Sequence, residues 1–296
     1  MNQVLIVDKD SGMTSHDVIN RARRILGERS IGHLGTLDPA ATGVLPLVVG
    51  NFTRLAQFYL GAEKSYEGVI HLGFATDTYD TEGEVIGKKG VNSASIDEVR
   101  EVAAKFLGKI DQMPPPFSAK KIKGVPAYKL ARKQQEVVLS PVSVEVFEFE
   151  VFTPEVAQND ASRIAFRARV SAGTYIRSIA HDLGQALGCG GHLETLRRTA
   201  HGEFTLADAH TLDQLAVATA EAREEFFLHP RKLLPGIPAV TANDEQVALI
   251  QCGRAVNLPE MSKSKYVKVF RGQREIIAIA SRVAGTLFHP KIVLMQ

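Results

Sequence analysis

The chain has 296 residues, a formal net charge of +2, 45% hydrophobic and 23% charged residues. That balance fits an ordinary soluble globular protein of one large and one small domain, or of two medium ones. No run approaches the ~20 apolar residues of a membrane span, and the opening MNQVLIVDKDSGMTSHD turns polar after four apolar residues, which reads against a signal peptide. Two cysteines, Cys189 and Cys252, argue against a disulfide framework and for a reducing compartment.

In chain order, Val4 to Val7 reads as a short strand, DKDSG as a turn, and Thr14 to Asp17 as a helix start capped by Thr or Ser. Val18, Ile19, Ala22, Ile25 and Leu26 recur at helical spacing, and Gly27 supplies the stop. GHLGTLDPAATGVLPLVVG (Gly32 to Gly50) follows, a turn-forming stretch that sets Asp38 close to the apolar run Val44 to Val49. That run is too short to assign to strand or helix.

Tyr66, Gly68, Ile70, Leu72 and Phe74 alternate as a strand does, and the polar loop ATDTYDTEGEV comes next. SIDE at Ser95 to Glu98 is a capping box for a helix expected to end near Gly108. The prolines of MPPPFSAKKIKG forbid regular structure, so the stretch to about Gln135 reads as a long excursion, of the kind that is functional or disordered. It concentrates Lys120, Lys121, Lys123, Lys129, Arg132 and Lys133, and LRRTAHG adds Arg197 and Arg198. A solvated face accounts for either basic run equally well.

Ile164, Phe166, Ala168 and Val170 alternate with Arg163, Arg167 and Arg169, a strand with one basic face. AGTYIRSIAHDLGQALG reads as a helix with Thr174 as N-cap, which sets Tyr175 and Arg177 in the anion-favouring first turn. HPRKLLPGIPAV, with Pro230, Pro235 and Pro238, reads as a linker. Beyond it, Asn243 to Cys252 reads as a helix, KYVKVFRGQREIIAIAS as a strand–turn–strand about Gly272, and GTLFHPKIVL as another strand. The chain therefore divides into residues 1–238 and a small β-rich domain at 239–296.

Several chemistries are missing from this pattern. The glycines match neither a phosphate loop nor a dinucleotide fingerprint, and no nucleophile elbow or His-Glu-x-x-His occurs. Asp77, Asp80 and Glu82 lack EF-hand spacing and read as turn formers. CGGH (Cys189 to His192) offers two of the four ligands a structural zinc takes. There remain Asp38, His33 shortly before it, Tyr66 on a strand and Tyr175-Ile176-Arg177 at a helix start. A carboxylate with an Arg partner and aromatic platforms suits a reaction on a planar base whose backbone is held by Lys and Arg.

At these residues the chain resembles the TruB-type tRNA pseudouridine synthases of bacteria. GHLGTLDPAATGVLPLVVG resembles the family's catalytic Asp motif, and KSYEGVIHLGFATDTYDTEGEV its Tyr-bearing strand and loop. MPPPFSAKKIKGVPAYKLAR is similar to its RNA-gripping insertion, here about 112–140, and GTYIRSIAHDLG and LETLRRTAHGEF to its Arg and Leu-Arg-Arg motifs. The chain departs from the family's habits at Lys9-Asp10, Ser30, Leu34 and Arg54, none of them the motif Asp, Tyr or Arg.

The resemblance implies an α+β fold: a mixed, mostly antiparallel sheet with flanking helices, followed by a PUA-like β-barrel. It implies isomerisation of uridine 55 in the tRNA T loop, with no cofactor and no metal. Asp38, Arg177 and Tyr66 would be catalytic. His33, Tyr66, Tyr175, Leu196, Arg54, Lys120, Lys121, Lys123, Arg132 and Arg197 would bind the substrate. A cytoplasmic monomer acting on the T arm without a protein partner follows. Two rival classes remain, a non-catalytic RNA-binding module and a guide-dependent synthase subunit; the Lys-rich excursion favours stand-alone tRNA binding over the second.

Overall fold

A computed structural model of the chain describes residues 1–87, 90, 94–118, 121–122, 125–126, 139–154, 160 and 162–295. It forms two compact units, Met1–Leu60 with His201–Gln296, and Gly61–Ala200. Both combine strands with helices, the mixed α+β class that the family resemblance implies.

In the first unit the strand Gln3–Lys9 pairs antiparallel with Thr42–Val49, from Gln3 opposite Val49 to Lys9 opposite Gly43. The apolar run that sequence alone leaves open is therefore a strand, with Val44 to Val49 all buried. The helix Ser15–Leu26 starts as expected: Thr14 and Asp17 form a reciprocal capping box, and Gly27 closes it in the left-handed conformation. Val18, Ile19 and Ala22 supply its buried face.

The C-terminal strands of this unit form a five-stranded sheet in the order Ala239–Thr241, Tyr266–Arg271, Glu275–Ala284, Leu287–Val293, Val256–Asn257. The helix Asp244–Gln251, capped by Asn243, also matches expectation. One side of the tail has its own core around Ile250, Val267, Ile277 and Phe288. Phe270, Ile276, Ile279 and Leu294 instead join a cluster with Val4, Ile6, Val48, Phe52 and Leu55.

The proline-rich stretch before the tail is not a free linker. Leu233 and Leu234 are buried in that shared cluster. Glu203 Oε1 accepts from Tyr59 OH and from Leu234 N, each at 2.8 Å. Buried Lys268 donates to the Leu233 carbonyl at 2.6 Å. Prolines end helices, but they leave neighbouring leucines free to pack.

In the second unit the strand order is Gly191–His201, Lys64–Leu72, Arg163–Val170, Val142–Phe152, Gly108–Gln112. The last three pairings are antiparallel, with Tyr66 opposite Ala168. Gly68 lets the Tyr66 strand approach its other neighbour closely, since a Cβ there would meet the Thr195 carbonyl.

Three expectations are corrected in this unit. The capping-box helix stops at Ala103 and tightens into a 3-10 turn, Ala104–Phe106, ahead of the strand from Gly108. Thr174 does not cap its helix. Its hydroxyl turns back to the Ser171 carbonyl at 3.0 Å, and Tyr175 is the N-cap of Ile176–Ala186. The basic strand face is neutralised: Arg163 pairs with Glu194 at 2.9 Å, Arg169 with Glu63 at 2.7 Å and Glu148 at 2.9 Å, and Arg167 lies over the Phe152 ring. Most of the basic excursion lies outside the described residues, which include the short strands Lys121–Ile122 and Val125–Pro126.

Candidate functional site

Asp38 lies, half-buried, on the loop between the strands Ile31–His33 and Thr42–Val49. Its carbonyl accepts from Ala41 N at 3.1 Å, so the main chain closes the Asp-Pro turn. The segment after the first strand grips this loop. Lys9, only 1% exposed, donates Nζ to the carbonyls of Asp10, Pro39 and Ala41 at 2.8, 3.0 and 2.6 Å. Gly12 N donates to the Pro39 carbonyl at 2.9 Å. Ser15 Oγ accepts from Leu37 N at 2.9 Å and lies 3.1 Å from the Leu37 carbonyl. An ammonium that must satisfy its donors inside the protein thus fixes the loop just after Asp38, and the Ser15 hydroxyl fixes it just before.

Tyr66, 8% exposed, belongs to the second unit. Arg198, fully buried, donates to the Tyr66 hydroxyl. Burial pushes the Arg198 guanidinium down and the Tyr66 bond opposes that. Leu196 is two residues from Arg198 on one strand and so shares its face. Beside them Lys64 donates to the Ala62 carbonyl at 2.7 Å, and its ammonium is pushed down to about 8, first by burial and then by the Arg198 charge. Arg198 therefore does not belong to the basic surface run that LRRTAHG implies. Strand alternation decides this, sending Leu196 and Arg198 to one face and Arg197 to the other.

Arg177 sits in the first turn of Ile176–Ala186. That helix buries Ile176, Ile179, Ala180, Leu183 and Gly184, and a Cβ on Gly184 would strike the backbone of Gly190 and Gly191. Gln112 occupies the helix start, accepting from Tyr175 N at 2.7 Å and donating to the Tyr175 carbonyl at 2.9 Å. The Tyr175 N–H thus has a side-chain partner, and the expected anion-binding first turn is partly taken.

Arg177 is 7% exposed and donates to the carbonyls of Thr78 and Phe117 at 3.0 and 3.1 Å. Its Nη1 also lies 3.3 Å from Asp80 Oδ2. Ser178 Oγ donates to the Met113 carbonyl at 2.7 Å, so one helix start holds the proline-rich segment at two points. Asp80 is the partner that the sequence reading missed. It does form a turn, accepting from Thr78 Oγ1 at 2.6 Å and Glu82 N at 3.0 Å, but only through one oxygen. The other faces the guanidinium. Next to it Tyr79 takes a left-handed φ of 66° and stacks on His181 at 3.8 Å. Burial pushes Asp182 up to about 6.

His33 ends its short strand, half-buried, and Arg54 donates to the Val293 carbonyl at 2.9 Å; both belong to the first unit. Tyr175, Leu196 and Arg197 belong to the second. Lys120, Lys123 and Arg132 lie outside the described residues, as does the side chain of Lys121. Within CGGH, the Cys189 thiol faces the Gly190 carbonyl at 3.4 Å and His192 Nδ1 the Phe74 carbonyl at 3.2 Å.

Residues 23–176 match the model of the TruB family pseudouridylate synthase N-terminal domain, and 177–235 that of the tRNA pseudouridylate synthase B C-terminal domain. The chain belongs to the TruB family of pseudouridylate synthases. It is 45% identical over 298 residues to a tRNA pseudouridine synthase B of Solibacter usitatus, covering 99% of this chain and 100% of that protein. A tRNA pseudouridine synthase B of Aquifex aeolicus is 37% identical, covering both proteins in full. Among solved structures, an H/ACA RNP bound to a substrate RNA containing 2′-deoxyuridine matches with a TM-score of 0.72 at 25% identity, over 99% of this chain and 85% of that one. A Cbf5-Nop10-Gar1 complex matches with a TM-score of 0.72 at 27% identity, also over 99% and 85%.

Proposed function

We propose that this TruB-family chain is a tRNA pseudouridine synthase that converts uridine 55 in the T loop of tRNA to pseudouridine. The reading is carried by the Asp38 motif, seated on a main-chain-clamped loop, in a chain aligned end to end with a protein of that name at 45% identity. The reaction breaks the bond between uracil N1 and ribose C1′, turns the base, and joins C5 to C1′. The C5 proton is released and N1 gains one, so composition is unchanged.

The target base first leaves the loop stack, at a cost of a few kcal/mol, on the order of one unstacking step. His33 fills the space it leaves. Asp38 acts ionised, as nucleophile or as the stabiliser of positive charge on the sugar. Arg177 keeps it ionised, because a guanidinium stays charged at any working pH and its planar fork suits a carboxylate. Tyr66 stacks on the base and exchanges a proton during rearrangement. Tyr175 and Leu196 line the pocket. Arg54, Arg197, Lys120, Lys121, Lys123 and Arg132 hold RNA phosphates.

Residues 1–238 carry the chemistry in this reading. The five-stranded tail is a PUA-like RNA-docking module, for which its half-barrel sheet is suited. The protein acts as a cytoplasmic monomer on the T arm without a protein partner. Guide-dependent action is the second reading, favoured by the likeness to structures of H/ACA assemblies.

One experiment separates the two. The purified protein alone is incubated with unmodified tRNA, and pseudouridine is mapped. Modification at position 55 is expected from the wild type and none from Asp38→Asn, with tRNA affinity within roughly tenfold, about 1.4 kcal/mol. An inactive wild type would favour guide dependence, and multiple turnover by Asp38→Asn would remove Asp38 from the chemistry.

A further inference from the structure

Tyr266 of the tail and Phe58, which packs against it, belong to a cluster of rings and lysines that none of the roles above uses. Tyr266 opens its strand half-buried, and its register runs through Ser281 to His289. The ring of Phe58, also half-buried, meets it edge-on at 5.5 Å and 82°. Lys291 Nζ donates to Tyr266 OH at 3.1 Å and lies 5.0 Å from that ring's centre and 5.8 Å from the Phe58 ring. Lys265 Nζ lies 5.5 Å from the Tyr266 ring centre. Lys263, Lys265, His289 and Lys291 are exposed. Together these contacts hold the Tyr266 phenol below its usual range, the Lys291 bond contributing most.

The loop that presents the lysines is built rather than loose. Arg282 donates to the carbonyls of Ser264 at 2.9 Å, Glu260 at 3.2 Å and Ser262 at 2.7 Å, and also to that of Gly285. Its guanidinium packs 4.4 Å from the Phe288 ring centre. The nearby carboxylate, Glu260, accepts from Ser262 N at 2.6 Å and is turned into the loop. Among the described residues, none of Lys263, Lys265 and Lys291 is paired with a carboxylate, in contrast to Arg163 and Arg169.

Two half-exposed rings flanked by ammonium groups that no carboxylate neutralises match the chemistry of a single nucleic-acid strand. Bases of any sequence stack on an aromatic side chain while cations track the backbone. A lysine displaced from the ring by a base still reaches the neighbouring phosphate, because its charge rides on a flexible stem. We propose that Phe58, Tyr266, Lys265 and Lys291 form a docking platform for a single-stranded RNA segment outside the T arm, made by residues that take no part in the isomerisation. The proposal rests on the reading that the substrate is tRNA.

The test uses the full chain and three labelled probes: unmodified tRNA, an isolated T-arm stem-loop, and hexa-adenylate. Tyr266→Ala should weaken hexa-adenylate and tRNA binding roughly tenfold, or 1.4 kcal/mol, and change stem-loop binding less than about twofold. Tyr266→Phe should bind all three as the wild type does, because the stacking ring is kept. Lys291→Gln should flatten the salt dependence of hexa-adenylate binding by about 0.7 in log–log slope, one phosphate contact on a single strand. Wild-type affinity of Tyr266→Ala for hexa-adenylate and tRNA would overturn the platform, and so would an equal loss on the stem-loop. A wild type that modifies no tRNA would sink the functional reading, while the hexa-adenylate comparison would still decide this one.

Discussion

The loop that carries Asp38 takes its position from side chains donating to its main chain, whereas Tyr66 takes its position from a strand paired along its length. In the loop, Lys9 and Ser15 hold the carbonyls of Leu37, Pro39 and Ala41. In the strand, eight residue pairs from Lys64–Val170 to His71–Arg163 share the task. A ladder is redundant, so that losing one side chain leaves the backbone in place. A loop held at a few points, one of them a buried ammonium, is much less so. The difference teaches where substitution moves a reactive group and where it only alters that group's partner.

The comparison breaks most readily at Lys9. Lys9→Met keeps much of the apolar stem but takes the ammonium donor from the buried Ala41 carbonyl, at a cost of about 1–3 kcal/mol, while the Pro39 carbonyl keeps the Gly12 N–H. Urea denaturation should show a loss of about 3 kcal/mol, and single-turnover pseudouridine formation should fall at least ~100-fold, about 2.7 kcal/mol of barrier. A stability loss under about 1 kcal/mol would mean that the loop is held without Lys9.

On the strand side, Tyr66→Phe deprives buried Arg198 of a hydroxyl acceptor while the ladder persists. Stability should fall by about 2 kcal/mol, and hydrogen exchange along Lys64–Leu72 should stay protected. Exchange that opened along the whole strand would erase the contrast. Asp80→Asn sharpens it from the helix side. Arg177 loses an ion-pair partner but keeps the carbonyls of Thr78 and Phe117, so single-turnover rate should drop roughly tenfold, or 1.36 kcal/mol, with little change in tRNA affinity. An unchanged rate would return Asp80 to the role of turn former.

The smallest effect is a pH dependence at Lys64. Its folded pKa of about 8 lies below the ordinary 10.5 of a free lysine. Between those values the unfolded chain binds more protons than the folded one, so stability rises with pH across that window. Lys64→Met should remove that rise, a difference of up to about 1 kcal/mol between pH 7.5 and pH 10 for a partly solvated group. Parallel stability curves for the two proteins would place Lys64 in water.

Local signals in the sequence carried a good part of this fold. The Thr14 cap, the Gly27 stop and the Arg163–Val170 strand depend on neighbours a few residues apart and are found where the pattern sets them, and of the alternation from Tyr66 to Phe74 the strand takes up Tyr66 to Leu72. Asp38 was visible for a similar reason, as a charge in a stretch otherwise built for turning and burial. The misreadings came from residues whose partners are distant in the chain. Thr174 has the chemistry of a cap, but Gln112, far upstream, takes the helix start through Tyr175. Leu233 and Leu234 lie among linker-like prolines and are buried against strands from both ends of the chain.

By itself, the sequence determined the family motifs, the run of elements and the residue types from which chemistry is drawn, because periodicity, capping and turn preference act over a single turn or strand. Tertiary structure decided which polar side chains are buried and what they hold. In the sequence Lys9, Asp80 and Arg198 read as a turn lysine, a turn acid and part of a basic run. They emerge as the loop's donor, the Arg177 counter-ion and the Tyr66 partner. The physical reason is that a charge removed from water must find its hydrogen bonds inside the protein, and the partner it finds is set by how distant segments pack, which no local pattern encodes.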